Sequence, residues 1–533
     1  MKGKKIVLPL FLAVAMLFSC TTERQQYATI SKSELNNKIK GAWAGKMIGV
    51  MMGIGMEFKA AGVTFEDSIT WYPEMIERAL LEDDIYGQLT FMSTMVKNQG
   101  MQTPVTKLAE IFANADFNLC HANLQARKNF FDGIMPPLSG APEYNFHAND
   151  IDFQIESDYI GFIHPGMPQS ATLMADSVGR IMAYGDGLYG GMFVSAMHAM
   201  AFFETDARTV VKKALKAIPA ESGYAKAIHT VIDGYETDSV NWRTTWQKVE
   251  DAWGKSDVCV PYDPFNIDAT INGAYIAMGL LFGGNDMART IEIAIRCGQD
   301  TDCNAANAAA VLGIINGYDA IADEYKSHIP EMADKPFLYT DISFNKAVEY
   351  TQAFAEENIL ANGGSIEEET FKVPLQSAQF SGKLEQAFAN KTMDRMIRMT
   401  EGEKYKLEGN WVDFSYGDGD NDLYKVSTSS GDVFETTFNG TGFSVLGSYN
   451  TDGGTAMAYI DGEPFREFNC YHRTEAGKWN GNRQHLVHKM DLEPGEHTLK
   501  IVVLDKKESA STGHKIYIER VIAYKNTDTP SNP

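Results

Sequence analysis

Residues 297–304, Cys297-Gly298-Gln299-Asp300-Thr301-Asp302-Cys303-Asn304, run directly into the alanine-rich segment 305–313. Apolar side chains recur in that segment at positions i, i+4 and i+7, which predicts a helix with one apolar face: Ala305, Ala309 and Leu312. Because most side chains of this helix are small, neighbouring helices can approach it closely. We therefore expect a tightly packed helical region around it.

Two carboxylates, Asp300 and Asp302, lie two residues apart where this helix begins. In a tight turn both can reach a single cation, because hard metal ions take oxygen ligands. The alternative is that Asp302 serves only as the N-cap of the helix, a role for which Asp is favoured. A second acidic cluster far upstream favours the metal site.

That second cluster consists of three adjacent acids, Glu82, Asp83 and Asp84. Neighbouring carboxylates disfavour one another's ionisation, and a bound cation or the amides of a helix N-terminus would relieve this repulsion. The alternative is an acidic first helical turn, which the helix dipole favours, and both interpretations can hold together. Glu57 is a further candidate acid, with a solvated surface Glu as its alternative.

The segment before Glu57 has the pattern of a closely packed helix. Ser31, with Glu34 three residues on, predicts an N-cap at its start. Glycines then follow at a strict four-residue spacing, Gly41, Gly45, Gly49 and Gly53. On a helix they form one row, so this face is bare and another backbone can approach it.

The composition limits the class of partner. The 533 residues suffice for two or three domains. A formal net charge of −23 argues against a nucleic-acid partner, since phosphate binding needs basic patches. Five cysteines beyond residue 20 are sparse and unpatterned, so they predict no disulfide framework: Cys120, Cys259, Cys297, Cys303 and Cys470.

Residues 1–20 have the pattern of a targeting segment. A basic start precedes an apolar run, residues 6–18, that is too short to span a bilayer as a mature helix. Leu17-Phe18-Ser19-Cys20 is similar to a bacterial lipobox, which predicts cleavage before Cys20 and a lipid on its thiol. The alternative is an ordinary signal peptide with an incidental Cys. We expect a cell-envelope lipoprotein on the periplasmic or outer-membrane face.

The periodicity of the chain changes after about residue 360. Residues 30–360 show helical patterns, and no strand pattern is evident before about residue 370, so an all-α domain is expected there. Residues 361–405 are predicted to be a linker. Residues 406–526 show short β runs separated by Gly, Asp and Asn turns, which predicts an all-β jelly-roll sandwich.

Three residues in turn-rich loops of the first domain are candidates for substrate binding: His164, Tyr184 and Asp186. Their loops are rich in Gly and Pro and precede apolar helices, so their side chains can line a pocket. The alternative is that they satisfy the backbone of these loops.

Taken together, these acids and their spacing resemble the ADP-ribosylglycohydrolase family over roughly residues 38–330. The early glycine-rich helix corresponds to residues 45–57, the middle acidic motif to 82–85, and the late G-x-D-T-D motif to 298–310. The family's early Asp is Val50 here, and its two Thr ligands are replaced by Glu82 and Cys303.

The resemblance implies an all-α bundle that binds one or two Mg²⁺ ions, or another divalent metal, and hydrolyses a glycosidic bond. The metal ligands that it implies are Glu82, Asp83, Asp84, Asp300, Asp302 and Cys303. Glu57 and Asp84 are the implied catalytic carboxylates, handling a proton or stabilising an oxocarbenium-like centre.

The second domain resembles galactose-binding-like or carbohydrate-binding jelly rolls, on residues 459–462 and 495–501. Trp411, Tyr471 and Trp479 can stack on sugar faces, although core aromatics are the alternative. With the expected address, this favours an exported, lipid-anchored hydrolase acting on a glycan or glycoside. The alternatives are a true ADP-ribosyl hydrolase and a non-catalytic glycan-binding lipoprotein.

Overall fold

A computed structural model of the chain describes residues 25–417, 423–474 and 483–527. The predicted signal peptide with Cys20, and the aromatic Trp479, lie outside the described residues. Among the helices that are described, none has the length and apolar character needed to cross a membrane.

The first part of the chain is a bundle of α-helices. They are α1 Lys32–Gly53, α2 Asp83–Lys97, α3 Val105–Asn114, α4 His121–Phe131, α5 Asp152–Glu156, α6 Asp158–Phe162, α7 Pro168–Gly179, α8 Asp186–Ala201, α9 Ala207–Ala214, α10 Gly223–Thr237, α11 Trp242–Trp253, α12 Ala269–Phe282, α13 Met287–Arg296, α14 Thr301–Asn316, α15 Asp323–Lys326, α16 Ile329–Met332 and α17 Phe344–Ala361. Short 3₁₀ helices connect some of them, at Pro73–Leu81, Gly100–Gln102, Leu138–Gly140, Leu215–Ala217 and Tyr318–Ala320.

The centre of the bundle is the pair α1 and α14. From Gly41 onward α1 is buried on every side, and so is α14 as far as Ile314, as expected for helical segments that are apolar or small all round. The glycine row of α1 faces α14: a β-carbon on Gly45 would be 2.4 Å from the Ala309 carbonyl oxygen, and one on Gly49 would be 2.4 Å from the Ala306 Cα. The glycines therefore allow the two backbones to touch, and Ser31 caps α1 by accepting from the Glu34 amide at 3.1 Å.

The strands of the second part form two antiparallel sheets. They are β4 Lys391–Arg398, β5 Tyr405–Glu408, β6 Trp411–Phe414, β7 Tyr424–Ser427, β8 Val433–Gly440, β9 Gly442–Gly447, β10 Thr455–Ile460, β11 Glu463–Asn469, β12 Gln484–Lys489, β13 Gly495–Val503 and β14 Ile516–Asn526. One sheet has the order β11-β10-β13-β8-β5, and the other has the order β12-β9-β14-β7-β6 with β4 also paired to β14. Alternate residues of β13 are buried, namely Leu499, Ile501 and Val503, as in a sandwich with one face inward. A helical bundle followed by a β-sandwich confirms the predicted fold class.

The sequence patterns missed a small sheet that joins the two ends of the bundle. Strand β1, Gln26–Ser31, pairs with β3, Thr370–Leu375, which also pairs with β2, Ser365–Glu367. These strands are short and half exposed, so they lack the long apolar alternation that identifies a strand. Hydrogen bonding to β3 therefore holds β1 and β2 in the strand conformation, which their own sequences do not predict.

The segment 361–405, predicted to be a linker, carries the strands β2, β3 and β4. Strand β4 belongs to the sandwich, because Ile397 pairs with Val521 of β14. Its sequence, Lys-Thr-Met-Asp-Arg-Met-Ile-Arg, is charged and mostly part-exposed, which hides it from a hydrophobic pattern. Strands thus begin soon after α17 ends, and residues 376–390 between β3 and β4 carry no helix or strand.

Candidate metal centre

The loop after α1 is fixed against the turn before α14. The Phe58 amide donates to the Gln299 carbonyl at 2.9 Å, and the Gln299 amide donates to the Ala60 carbonyl at 2.9 Å. Gly298 has a φ of +87°, and a β-carbon there would be 2.1 Å from the Ala60 oxygen, so only glycine fits. These contacts hold Glu57 opposite the start of α14.

Carboxylates from separate parts of the chain meet at this point. Ligand atoms of Glu57, Asp300 and Asp302 all lie within 4.8 Å of one another, and so do those of Asp84, Asp302 and Cys303. Asp302 belongs to both groups. The structure thus brings together five of the residues that the sequence proposed as ligands or catalysts, across more than two hundred positions.

Asp300, and not Asp302, caps α14. The Cys303 amide donates to Asp300 Oδ1 at 3.3 Å. Asp302 lies in the first turn, and its Oδ1 is buried without a hydrogen-bond partner. The alternative that Asp302 is only an N-cap is therefore wrong. A buried carboxylate oxygen without a partner is costly unless something binds it, and a cation fits this need.

The cluster holds its protons more tightly than free carboxyl groups do. Burial, followed by the charges of Asp302 and Asp84, raises the pKa of Glu57 to about 8. Burial and Asp83 raise the pKa of Glu82 to about 7, and burial and Asp84 raise that of Asp83 to about 6. Since a divalent cation favours the ionised forms, the residues present fit a hard metal ion.

Glu82 and Asp83 lie at the rim of this cluster rather than inside it. Glu82 is half-buried, and Asp83 has an exposed surface although protein atoms surround its carboxyl group, whereas the next residue, Asp84, is buried. Asp83 also accepts from the Asp84 amide at 3.2 Å. The predicted acidic first turn of α2 is thus present. It places the carboxylate of Asp84 inside the cluster and those of Glu82 and Asp83 at its rim.

The sequence patterns missed Lys46, which lies beneath the acids. Lys46 Nζ is 2.9 Å from Asp158 Oδ2 and 3.3 Å from Asp84 Oδ1, and all three side chains are buried. Burial lowers the pKa of Lys46, but Asp158 and Asp84 outweigh that effect and raise it overall. Lys46 is the single charged residue of the apolar, glycine-rich stretch 41–53, and this was the signal that could have identified it.

Asp158 is the other residue that the patterns missed, and it is fully paired. Asn307 Nδ2 donates to its Oδ1 at 2.7 Å, and Gln88 Nε2 donates to its Oδ2 at 3.1 Å. His198 Nδ1 lies 3.4 Å from the same carboxylate. Asp158 therefore serves as an anchor for Lys46 and not as an open ligand.

Cys303 stands where the resemblance places a Thr ligand. Its thiol donates to Asp84 Oδ2 at 3.3 Å. Burial, then the charges of Asp300 and Asp84, raise its pKa well above the ordinary value, so the thiol stays protonated. A neutral thiol is a poor ligand for Mg²⁺, and its visible role is to orient Asp84.

The three loop residues predicted to bind substrate have local partners. The His164 ring donates from Nδ1 to the Ile160 carbonyl at 2.7 Å, and Asp186 Oδ1 accepts from the Tyr224 amide at 3.1 Å. The Tyr184 ring lies 5.9 Å from the Arg180 guanidinium carbon. These contacts engage the three side chains within the fold, and their binding of substrate stays a prediction.

An aromatic wall that the sequence did not predict stands beside Glu57. The rings of Phe58 and Phe265 are 4.6 Å apart, and His121 stacks on Phe265 with centroids at 6.2 Å. All three side chains are half-buried. An apolar face next to acids is an arrangement that sugar rings can use.

Comparison with known families bears directly on this centre. A family model described as ADP-ribosylglycohydrolase matches residues 31–357, which is more than half of the chain. The chain belongs to the ADP-ribosylglycohydrolase family. Every residue of the candidate metal centre lies inside the region that matches the ADP-ribosylglycohydrolase model.

Solved structures resemble each part of the chain at low identity. An "ADP-ribosylglycohydrolase-related protein complex" is 12% identical and covers 61% of this chain and 99% of its own, with a TM-score of 0.43. A family 35 carbohydrate-binding module from Clostridium thermocellum is 16% identical over 24% of this chain and 98% of its own, with a TM-score of 0.19. A CBM36-1 domain of a xylanase from the hindgut metagenome of Trinervitermes trinervoides is 15% identical over 26% of this chain and 100% of its own, with a TM-score of 0.18. No curated protein is found to match the sequence.

Proposed function

We propose that this protein is a hydrolase that cleaves an O- or N-glycosidic bond of a glycan or glycoside with the help of Mg²⁺. The observation that carries the proposal is Asp302, which has a buried oxygen without a hydrogen-bond partner and a ligand atom within 4.8 Å of those of Glu57, Asp84 and Asp300. Family membership supports hydrolysis, and the pattern of residues 1–20 supports export with a lipid on Cys20.

Asp84, Asp300 and Asp302 are the residues that would hold the ion. When bound, a divalent cation supplies a Lewis acid that polarises a sugar oxygen or lowers the pKa of a water molecule. Lys46 fixes Asp84 from below at 3.3 Å and offsets part of its charge. Cys303 fixes the other oxygen of Asp84.

Glu57 is the carboxyl group best placed to exchange a proton with a substrate. It is half-buried, whereas both oxygens of Asp84 are already engaged by Lys46 and Cys303. In the metal-free chain, burial and then the charges of Asp302 and Asp84 raise the pKa of Glu57 to about 8, and burial continues to favour its protonated form when a cation offsets those charges. Such a group can protonate the oxygen or nitrogen of the departing group as the glycosidic bond breaks.

The aromatic wall provides the place for the sugar. Phe58 follows Glu57 directly, and its ring packs against Phe265. Because Phe58 follows Glu57 in the chain, a sugar ring on this wall would lie next to the loop that carries the Glu57 carboxyl. The neighbouring His121 offers a polar edge for a hydroxyl group.

The test is a substrate screen with a matched pair of variants. Aryl furanosides and pyranosides are assayed beside ADP-ribosyl-arginine and ADP-ribosyl-serine peptides, each with Mg²⁺ and with EDTA. Asp302→Asn removes one charge while Asp300 continues to cap α14, and Asp323→Asn makes the same change on the exposed α15. Loss of an outer-shell partner costs about 10–100-fold in metal affinity, so loss of a ligand should cost at least the upper end.

Each outcome distinguishes a candidate function. Metal-dependent cleavage of a simple glycoside that is lost in Asp302→Asn and retained in Asp323→Asn supports the proposal. Cleavage of only the ADP-ribosyl peptides identifies a true ADP-ribosyl hydrolase instead. No cleavage of any substrate, with glycan binding retained, favours the non-catalytic lipoprotein. Activity that survives both EDTA and Asp302→Asn rules out the metal-assisted mechanism.

A further inference from the structure

A second group of metal-ligating side chains lies where the helical bundle meets the sandwich. His147 and Asp150 precede α5, Cys259 lies between α11 and α12, and His485 lies on β12 of the sandwich. One ring nitrogen of His147, the Cys259 sulfur and one ring nitrogen of His485 all lie within 4.8 Å of one another. The four residues therefore converge from three separate parts of the chain.

Asp150 contacts two members of this group. Its Oδ2 is 2.7 Å from His147 Nδ1, and the Cys259 thiol approaches its Oδ1 at 3.7 Å. His147, Asp150, Cys259 and His485 are 6%, 1%, 2% and 4% exposed. The donors thus form a closed set that solvent does not enter.

One donor of the group has no partner. His147 Nε2 is buried and makes no hydrogen bond, although Nδ1 of the same ring is held by Asp150. A ligating histidine usually has this arrangement, in which a carboxylate fixes one nitrogen and leaves the other for the metal. A polar atom that is buried without a partner costs free energy, and a metal ion bound to His147 Nε2 would offset that cost.

His485 is already oriented for such a role. Its Nδ1 lies 2.6 Å from the Ser444 hydroxyl, and its Nε2 lies 3.1 Å from the Cys259 carbonyl. Its ring stacks on Phe146 at 4.3 Å. Binding of an ion would exchange the contact between Nε2 and the Cys259 carbonyl for a metal bond, while Ser444 and Phe146 keep the ring in place.

The charges around the group also favour a cation. Asp257 and Asp268 are buried near Asp150, and their charges act on it. Within the described parts of the chain, Asp150 has ion-pair contacts with His121 and His147 alone and with no lysine or arginine. Buried carboxylates without a basic partner are stabilised by a metal ion or by protons.

We propose that His147, Cys259 and His485 bind one zinc-class divalent ion that fastens the sandwich to the bundle, with Asp150 holding the His147 ring in place. Sulfur and imidazole ligands suit Zn²⁺, whereas Mg²⁺ and Ca²⁺ take oxygen ligands. The centre around Asp302 offers carboxylate oxygens, so it suits a hard ion such as Mg²⁺. The chain would therefore hold a hard ion for chemistry and a softer ion for structure.

The buried and closed character of the group indicates a structural site. His147, Cys259 and His485 would supply three of the four ligands of a tetrahedral ion, and their burial keeps the fourth position closed to a substrate. Because two ligands come from the bundle and one from the sandwich, the ion would act as a cross-link between the two. Removing it should weaken the attachment of the sandwich before it weakens the bundle.

Cobalt binding tests the proposal directly. The full chain is stripped of metal, and Co²⁺ is titrated in while absorption is recorded. We expect one equivalent to produce the intense visible bands of tetrahedral cobalt and a thiolate-to-cobalt band in the near ultraviolet, and Zn²⁺ to abolish both. Cys259→Ser should remove the thiolate band, and His485→Gln should remove stoichiometric binding.

Cys303→Ser is the matched control, because Cys303 is also a buried thiol beside aspartates. It should leave the thiolate band unchanged, as should Asp302→Asn. The proposal is overturned by a wild-type chain that shows no thiolate band, by a band that survives Cys259→Ser, or by one that disappears in Cys303→Ser. If Cys259→Ser does not fold, the wild-type and Cys303→Ser spectra still decide between these outcomes.

Discussion

Gly53, the last residue of α1, lies against the backbone of Asp302: a β-carbon on Gly53 would be 2.3 Å from the Asp302 Cα. The Thr301 hydroxyl also donates to the Gly53 carbonyl at 2.9 Å. The end of the glycine row thus sets the position of the residue on which the candidate metal centre depends. The contact that packs α1 on α14 therefore also sets the position of Asp302 in the candidate metal centre.

We predict that Gly53→Ala destabilises the protein and weakens Mg²⁺ binding. The added methyl group meets backbone atoms that cannot move aside, and overpacking of this kind costs about 1–3 kcal/mol. Urea unfolding and Mg²⁺ titration measure the two effects. Gly55→Ala is the control, since a β-carbon there would meet no atom within 4 Å, and equal effects of the two variants would contradict the prediction.

Lys46→Met should be among the most destabilising single changes in the bundle. It leaves Asp84 and Asp158 buried without their shared cation, and breaking a buried ion pair from one side costs about 3–5 kcal/mol. The free energy of unfolding in denaturant gives the size of the effect. Lys59→Met, on an exposed side chain, should stay within about 0.5 kcal/mol of the wild type, and a Lys46 variant that matches it would refute the prediction.

The stability of the metal-free protein should fall as the pH rises from 5 to 8. Glu57, Glu82 and Asp83 have raised pKa values of about 8, 7 and 6, so the folded chain binds more protons than the unfolded chain in this interval. Stability present at low pH is therefore lost as the pH passes through these values. Thermal unfolding in EDTA measures the slope.

Mg²⁺ should restore stability most at the upper end of that interval, where the carboxylates are ionised and free to bind it. Glu57→Gln should make the pH slope in EDTA shallower, whereas Glu331→Gln, on an exposed side chain of α16, should leave it unchanged. A slope that is flat in EDTA, or one that Mg²⁺ does not alter, would count against a cation at this cluster.

Cys303→Ser should tighten Mg²⁺ binding. The serine hydroxyl keeps the hydrogen bond to Asp84 and replaces sulfur with an oxygen that Mg²⁺ accepts as a ligand. Cys303→Ala should weaken binding instead, because Asp84 loses a buried donor at a cost of about 1–3 kcal/mol. Calorimetric titration of both variants with MgCl₂ ranks them, and a serine variant that binds more weakly than the wild type would reverse the argument.

The sequence was sufficient for the features that depend on local periodicity. The glycine row predicted a bare face for close helix packing, and the structure places α14 against it. The change from helical to strand patterns predicted the fold class. The spacing of Asp300 and Asp302 predicted paired acids at a helix start, although it did not show which of them is the cap.

Only the tertiary structure could decide which residues face one another. Lys46, Asp158 and Asn307 carry no local signal of their common role, because their contact joins positions more than one hundred residues apart. The same holds for His485, which meets Cys259 across two domains. The periodicity of the sequence shows which face of a helix or strand is apolar, so the sequence determined the secondary structure elements of this protein. Which element packs against each face depends on the fold of the whole chain, so only the tertiary structure determined the sites.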